Sequence, residues 1–163
     1  MLLTDKIFQP NKNLSIYKPC SYVNEVDDGI REIIDQIVFH FNSDRMLGLA
    51  ANQIGFNERI FIFKDGEDIK TAINPEISWV SDNKEYFEEG CVSFPNLYVK
   101  IKRPVEIKVR YLDENGEMVE TEFSGLTARV FQHEMDHMNG RRFFDLASRY
   151  HLDQAVKKMK KVT

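Results

Sequence analysis

The sequence predicts a single domain that mixes helices with antiparallel strands, on three observations. From Val23 to Phe41 apolar residues recur at three- and four-residue spacing, as they do along one face of a helix. Val105, Ile107, Val109 and Tyr111 alternate with charged residues, and beyond Asn115-Gly116 the alternation resumes at Val119, Thr121 and Phe123, the pattern of an antiparallel hairpin. Gly125 then opens a stretch that runs to Asn139-Gly140, a helix-ending pair, and carries Gln132-His133-Glu134-Met135-Asp136-His137.

In chain order, residues 1–22 hold Pro10, Asn11, Asn13 and Pro19 among scattered apolar positions, which predicts irregular structure with one short extended piece around Leu14 to Ile16. The first helix follows at Val23, its start marked by Asn24, Asp27 and Asp28 and its end by Asn42-Ser43-Asp44. Met46 to Gly55 is small and almost uncharged; Gly48 and Gly55 permit close backbone approach, and a tightly packed core turn accounts for the stretch as well as a ligand-facing loop does. Strands are predicted at Arg59 to Phe63, Thr71 to Ile73 and Ile77 to Val80, with Asn74-Pro75 between the last two. Glu88 to Pro95 reads as a loop, then comes the hairpin and then the helix with the histidines. Leu152, Val156 and Met159 predict a short C-terminal helix whose lysines favour its C-terminal end.

With 163 residues, 42% of them hydrophobic and 12 Phe, residues 1–163 suffice for one core and one domain. The net charge is −4 with both signs interspersed, so no basic stripe marks direct nucleic-acid binding. No apolar run approaches the roughly 18 residues of a membrane span, and the N-terminus has no signal-like apolar region, so a cytoplasmic protein with no membrane association is expected. Cys20 and Cys91 should then be thiols, Cys20 as a small buried hydrophobe.

The chemistry concentrates in the H-E-x-x-H run. Four residues apart on a helix, His133 and His137 can direct ring nitrogens at one cation, while Glu134 stands roughly 100° around the axis, placed to take a proton from a nearby water. A solvated surface helix whose acids pair with Arg129 or Arg141 would also produce the run. Leu126, Arg129 and Val130 share the face of His133, however, which makes that face partly apolar and predicts its burial. Two imidazoles leave a divalent metal short of one protein ligand. Cys91, in a loop after Gly90, is an accessible thiol and as thiolate a good transition-metal ligand. Gln53 offers both donor and acceptor groups to a substrate. Glu89 and Arg103 flank the strand leaving the Cys91 loop and are expected to pair and fix its shape.

Three stretches together resemble the signature motifs of peptide deformylases: Met46 to Gln53 resembles that family's G-φ-G-φ-A-A-x-Q, Glu89 to Ser93 its E-G-C-φ-S, and Gln132 to His137 its Q-H-E-x-x-H. The resemblance implies an α+β fold, with antiparallel strands packed around a central metal-binding helix, and hydrolysis of the N-formyl group from the initiator methionine of nascent polypeptides. It places the metal ligands on Cys91, His133 and His137, the general base on Glu134, the oxyanion-stabilising glutamine on Gln53 and an assisting backbone N–H on Val92. It implies one divalent metal ion per chain, Fe(II) natively, with Zn, Ni or Co also able to fill the site. Nascent N-formyl-methionyl peptides are the implied partners; the resemblance leaves room for transient contact with the ribosome and implies a monomer.

Residues assigned to the substrate pocket are Leu47, Gly48, Phe87, Gly90, Val92, Tyr98, Leu126, Arg129 and Val130. Met46 stands at the first glycine of the first motif and Val92 replaces a frequent leucine. Arg129 occupies a position where many bacterial members carry an aliphatic residue lining the methionine pocket. Desolvating an unpaired guanidinium is costly, so the expectation is that its stem lines the pocket rim and its head reaches solvent. A zinc peptidase would also carry H-E-x-x-H, but its third ligand should lie downstream, where His151 falls outside the usual spacings. A non-catalytic module on the same fold is the remaining alternative, and the presence of ligands, base and glutamine speaks against it.

Overall fold

The computed structural model describes residues 14–163, so the expectations for residues 1–13 lie outside the described residues. Seven strands and three α-helices follow one another as α1 (Asp28–His40), β1 (Gly48–Ala50), β2 (Ile60–Asp65), β3 (Asp68–Val80), β4 (Lys84–Cys91), β5 (Phe94–Pro104), β6 (Glu106–Leu112), β7 (Met118–Ser124), α2 (Gly125–Met138) and α3 (Arg149–Val162). Single 3₁₀ turns occupy Leu14–Tyr17, Ala51–Ile54 and Phe143–Leu146. All pairings between these strands are antiparallel: a five-stranded sheet of order β1-β2-β3-β6-β7 and a two-stranded ribbon of β4 and β5.

β2 explains how the layers stack. Its residues Ile60 to Phe63 are all buried, because the pleat sends alternate side chains to opposite covered faces. Phe61 and Phe63 meet Phe131 of α2 edge-on, with ring centroids 5.0 and 5.3 Å away. Ile60 and Ile62 face the other way, into a cluster with Ile34 and Ile37 of α1. A third cluster joins Leu97, Val99 and Ile101 of β5 to Phe143, Phe144 and the buried face of α3, Ala155 and Met159. α2 therefore lies between the sheet and the ribbon, contacting β1, β2, β6, β7 and β5. No helix of the described residues is long and apolar enough to cross a membrane.

The structure departs from the expectations at five places. Leu14–Tyr17 is a 3₁₀ turn instead of an extended piece. α1 begins at Asp28, its N-terminus capped by the Asp27 carboxylate accepting from the Ile30 N–H at 2.9 Å. Val23 is buried in the same core but not helical, because both of its backbone groups are held by the Asn74 side chain, each at 2.8 Å. Asn74-Pro75 does not end a strand: β3 continues through an irregularity between Ile73 and Glu76, with Asn74 at φ 50°. Cys91 is the last residue of β4, opposite Phe94 across the Val92-Ser93 turn, so it stands on a strand end and not in a long loop. The C-terminal helix is not short; at 14 residues it equals α2. In the hairpin, Gly116 takes a positive φ of 79° while Asp113 accepts from the N–H groups of Asn115 and Glu117.

Candidate metal centre

α2 carries the two histidines into the interior because almost its whole length is enclosed: ten of its residues are buried, including Arg129, Gln132, His133, Glu134, Asp136 and His137. One turn apart, the two imidazoles stand with centroids 5.3 Å from each other. The end of β4 brings the Cys91 sulfur to 3.4 Å from His137 Nε2. One donor atom from each of Cys91, His133 and His137 lies within 4.8 Å of the others, and this trio could hold a metal ion. A thiolate and two imidazoles form a donor set suited to a divalent transition metal, with protein ligands on three sides. The described residues thus fit such an ion.

His133 is held from behind. Its Nδ1 lies 3.0 Å from Glu89 Oε1, so the Nδ1–H donates to the carboxylate and Nε2 is the atom left to ligate, and its ring stacks on Phe143 at 5.3 Å. Arg103 donates to both Glu89 oxygens, at 2.7 and 2.9 Å, and to Asp136 at 3.0 Å. Both Glu89 and Arg103 are buried, as the expected pair requires. The pleat explains Arg103: it follows Leu97, Val99 and Ile101 at period two along β5, so its side chain points inward with theirs. On the other histidine, the Asn52 amide donates to the backbone carbonyl of His137 at 2.7 Å.

Glu134 and Gln53 complete the cluster. Glu134 is 3% exposed and its Oε2 has no hydrogen-bond partner among the described residues. It fits because Gly48 has no side chain: a Cβ there would come within 2.6 Å of Glu134 Oε1. Gln53 accepts from the Ala50 N–H through Oε1 at 2.9 Å, which turns its NH₂ toward Ser93 Oγ at 3.0 Å and the Cys91 sulfur at 3.5 Å. That amide points a donor into the space beside the thiolate.

Charge in the cluster is strongly coupled. Burial opposes a thiolate at Cys91, but the charges and hydrogen bonds of His137 and His133 outweigh it and hold the thiol well below its ordinary range. Burial likewise opposes an imidazolium at His133, yet hydrogen bonds to Cys91 and Glu89 hold its pKa well above the usual histidine value. Glu134 is pushed up to about 7, chiefly by burial and against the pull of His137 and His133. Cys20, by contrast, is pushed up to about 11 by burial, so it is an inert neutral thiol.

A cavity of about 640 Å³ opens beside these groups, lined by every residue assigned to the pocket from sequence: Leu47, Gly48, Phe87, Gly90, Val92 and Tyr98 on one side, Leu126, Arg129 and Val130 on α2. Val130 is buried, whereas Leu47, Phe87, Val92, Tyr98 and Leu126 are half-exposed at the mouth and walls. Gly90 leaves room for the Tyr98 ring, which a Cβ would approach to 2.6 Å. Arg129 corrects the expectation: its guanidinium does not reach solvent but is enclosed, 8% exposed, where it donates to Glu89 and to two strand carbonyls. Burial of the guanidinium is tolerated because Glu89, forty residues away in sequence, pairs with it. Sequence reasoning also gave no role to Ser93, Asn52 or Asp136. Ser93 could have been found from its place two residues after Cys91; nothing local marks the other two.

Comparison with known proteins places this arrangement among relatives. The family model for polypeptide deformylase matches residues 5–152. The peptide deformylase of Phenylobacterium zucineum is 42% identical over 144 residues, covering 85% of either chain. Peptide deformylase 1 of Burkholderia multivorans is 38% identical over 165 residues, 99% of this chain and 90% of that one. Among solved structures, the peptide deformylase of Synechococcus elongatus in complex with actinonin superposes with a TM-score of 0.83 at 35% identity, over 91% of this chain and 82% of that one.

Proposed function

The chain belongs to the polypeptide deformylase family and removes the N-formyl group from nascent polypeptides, and on that premise we propose how its own residues do so. Cys91, His133 and His137 hold one divalent metal, with Glu134 as general base and acid and Gln53 as oxyanion donor. The observation that carries this reading is the meeting of three ligand atoms within 4.8 Å at a point where Glu134 keeps a buried, unpartnered oxygen.

When bound, the metal supplies a Lewis acid that polarises the formyl carbonyl and makes water more acidic. Glu134 takes the proton of the attacking water, and later returns it to the amine as the C–N bond breaks and formate leaves. Its burial keeps its basicity high enough for both steps. The Gln53 NH₂, already oriented by the Ala50 N–H and Ser93, and the Val92 backbone N–H donate to the oxygen on which negative charge develops. Leu126, Val130, Leu47, Phe87 and Tyr98 enclose the methionine side chain, an unbranched and polarizable group suited to an apolar slot. Gly48 and Gly90 keep the floor clear for Glu134 and Tyr98.

The thiolate, imidazole, imidazole set accepts Fe(II), Zn, Ni or Co, and Fe(II) is the metal proposed as native. A single catalytic domain acting as a cytoplasmic monomer on nascent chains completes the proposal. The test is formate release from a formyl-methionyl peptide by protein prepared anaerobically, with internal peptide-bond cleavage measured in parallel. Formate without internal cleavage is expected; internal cleavage alone would make the protein a peptidase.

A further inference from the structure

Arg129 sits where two requirements of the site meet. Its Nη1 donates to Glu89 Oε2 at 2.7 Å and to the Ile101 carbonyl at 3.0 Å; its Nη2 donates to the Glu85 carbonyl at 2.7 Å. Glu85 lies on β4 and Ile101 on β5, and Ile101 is the register partner of Phe87. The guanidinium therefore reaches from α2 under both strands of the ribbon, and its carbon lies 5.5 Å from the centre of the Phe87 ring, which forms part of the cavity wall. The same Glu89 carboxylate that Arg129 grips holds Nδ1 of His133.

We propose that Arg129 is a positioning residue with two arms: through Glu89 it fixes the orientation of His133, and through the Glu85 and Ile101 carbonyls and the Phe87 ring it fixes the wall that selects the first side chain of the substrate. The inference rests on the deformylase reading for its second arm only. The flat fork of a guanidinium suits this task, since one rigid group satisfies a carboxylate, two carbonyls and a ring face together. Its charge is committed to Glu89, so the cavity selects by shape, and an acidic first residue gains nothing from Arg129.

Two substitutions separate the arms. Arg129→Lys keeps a cation beside Glu89 but cannot span both carbonyls and the ring with one ammonium group. Arg129→Met keeps an unbranched stem and loses both arms. Each is reconstituted with cobalt(II) and read by its visible spectrum, by cobalt retention against a chelator, and by kcat/KM on formyl-methionyl, formyl-alanyl and formyl-glutamyl peptides. For Arg129→Lys the cobalt spectrum is expected to stay as in the parent, while the preference for formyl-methionine over formyl-alanine falls by about tenfold through KM. For Arg129→Met the spectrum is expected to shift and cobalt retention to weaken by about 10- to 100-fold, the usual effect of losing a residue behind a ligand. A parental spectrum and parental selectivity in Arg129→Met would reduce the residue to a structural contact. Full selectivity in Arg129→Lys, or a parental preference for formyl-glutamate, would overturn the second arm. If Arg129→Met does not fold, Arg129→Gln, which also removes that cation from Glu89, takes its place in the same measurements. If the parent releases no formate, the deformylase reading fails while the cobalt measurements still judge the first arm.

Discussion

At the scale of single residues, the close fit between Gly48 and Glu134 makes a sharper test than removal of the base. A Cβ at Gly48 would meet Glu134 Oε1 at 2.6 Å and its Cδ at 2.8 Å. The far end of Glu134 can swing aside, so Gly48→Ala should fold and keep stoichiometric metal but misplace the base, with a loss in kcat of about a hundredfold. Metal analysis beside formate release checks this, and unchanged turnover would show that Glu134 works from some other position. Acidity supplies a second reading of the same group. Burial raises Glu134 to about 7, and the base acts deprotonated, so kcat/KM should fall as pH falls through its pKa. A bound dication acts against burial and lowers that pKa again, which puts the acid limb of the loaded enzyme below pH 7. The two cysteines contrast in the same way. Cys91→Ser should abolish tight metal binding, while Cys20→Ser, at a buried thiol held neutral, should leave metal content and turnover as they were.

At the scale of elements, what the sequence disclosed and what it hid divide along the range of the interactions involved. The helix with His133 and His137, the hairpin and the α1 stripe follow from spacing over a few residues, and Cys91, Gln53 and Glu134 stand out because their motifs are local. The course of Val23 and of β3 was hidden because one contact decides both: the Asn74 side chain bonds both backbone groups of Val23, fifty-one residues away. Asn74 also donates its own N–H to the Arg59 carbonyl, and at φ 50° it adopts a conformation that Asn tolerates better than most residues. Asn74→Ala should therefore cost about 1–3 kcal/mol, by stranding Val23 N–H and C=O in a half-buried place and straining the backbone. Chemical denaturation measures it; a cost within error of zero would mean water replaces the amide freely. Arg129 was misread for the same reason as Asn74, since the ribbon that receives its guanidinium is assembled from strands 28 and 44 residues away.

At the scale of the whole molecule, the candidate site is a junction. Cys91 comes from the ribbon and both histidines from α2, so a bound ion would tie β4 to the helix on which the five-stranded sheet also packs. Hydrogen bonding to Cys91 and Glu89 holds the His133 pKa well above the ordinary histidine range although burial opposes the charge, so His133 is expected to carry a proton on Nε2 until a metal binds. An incoming cation needs the Nε2 lone pair of His133 and must expel this proton. The sign follows: protons and metal compete for the same atoms, so metal affinity falls as pH falls, and at neutral pH binding releases a proton to solution. Calorimetric titration of the metal-free protein with zinc, in two buffers of different ionisation enthalpy, should therefore give heats that differ in proportion to the buffers. In Glu89→Gln the imidazolium loses its carboxylate partner, so fewer protons should be released, and zinc should bind about 10- to 100-fold more weakly because His133 is no longer oriented from behind. Since Arg103 and Arg129 would then lack a buried counter-charge, the same variant should also lose about 3–5 kcal/mol of stability. Identical heats in the two buffers would mean that His133 is already neutral in the metal-free protein, and that the thiolate stands beside the imidazole without a shared proton.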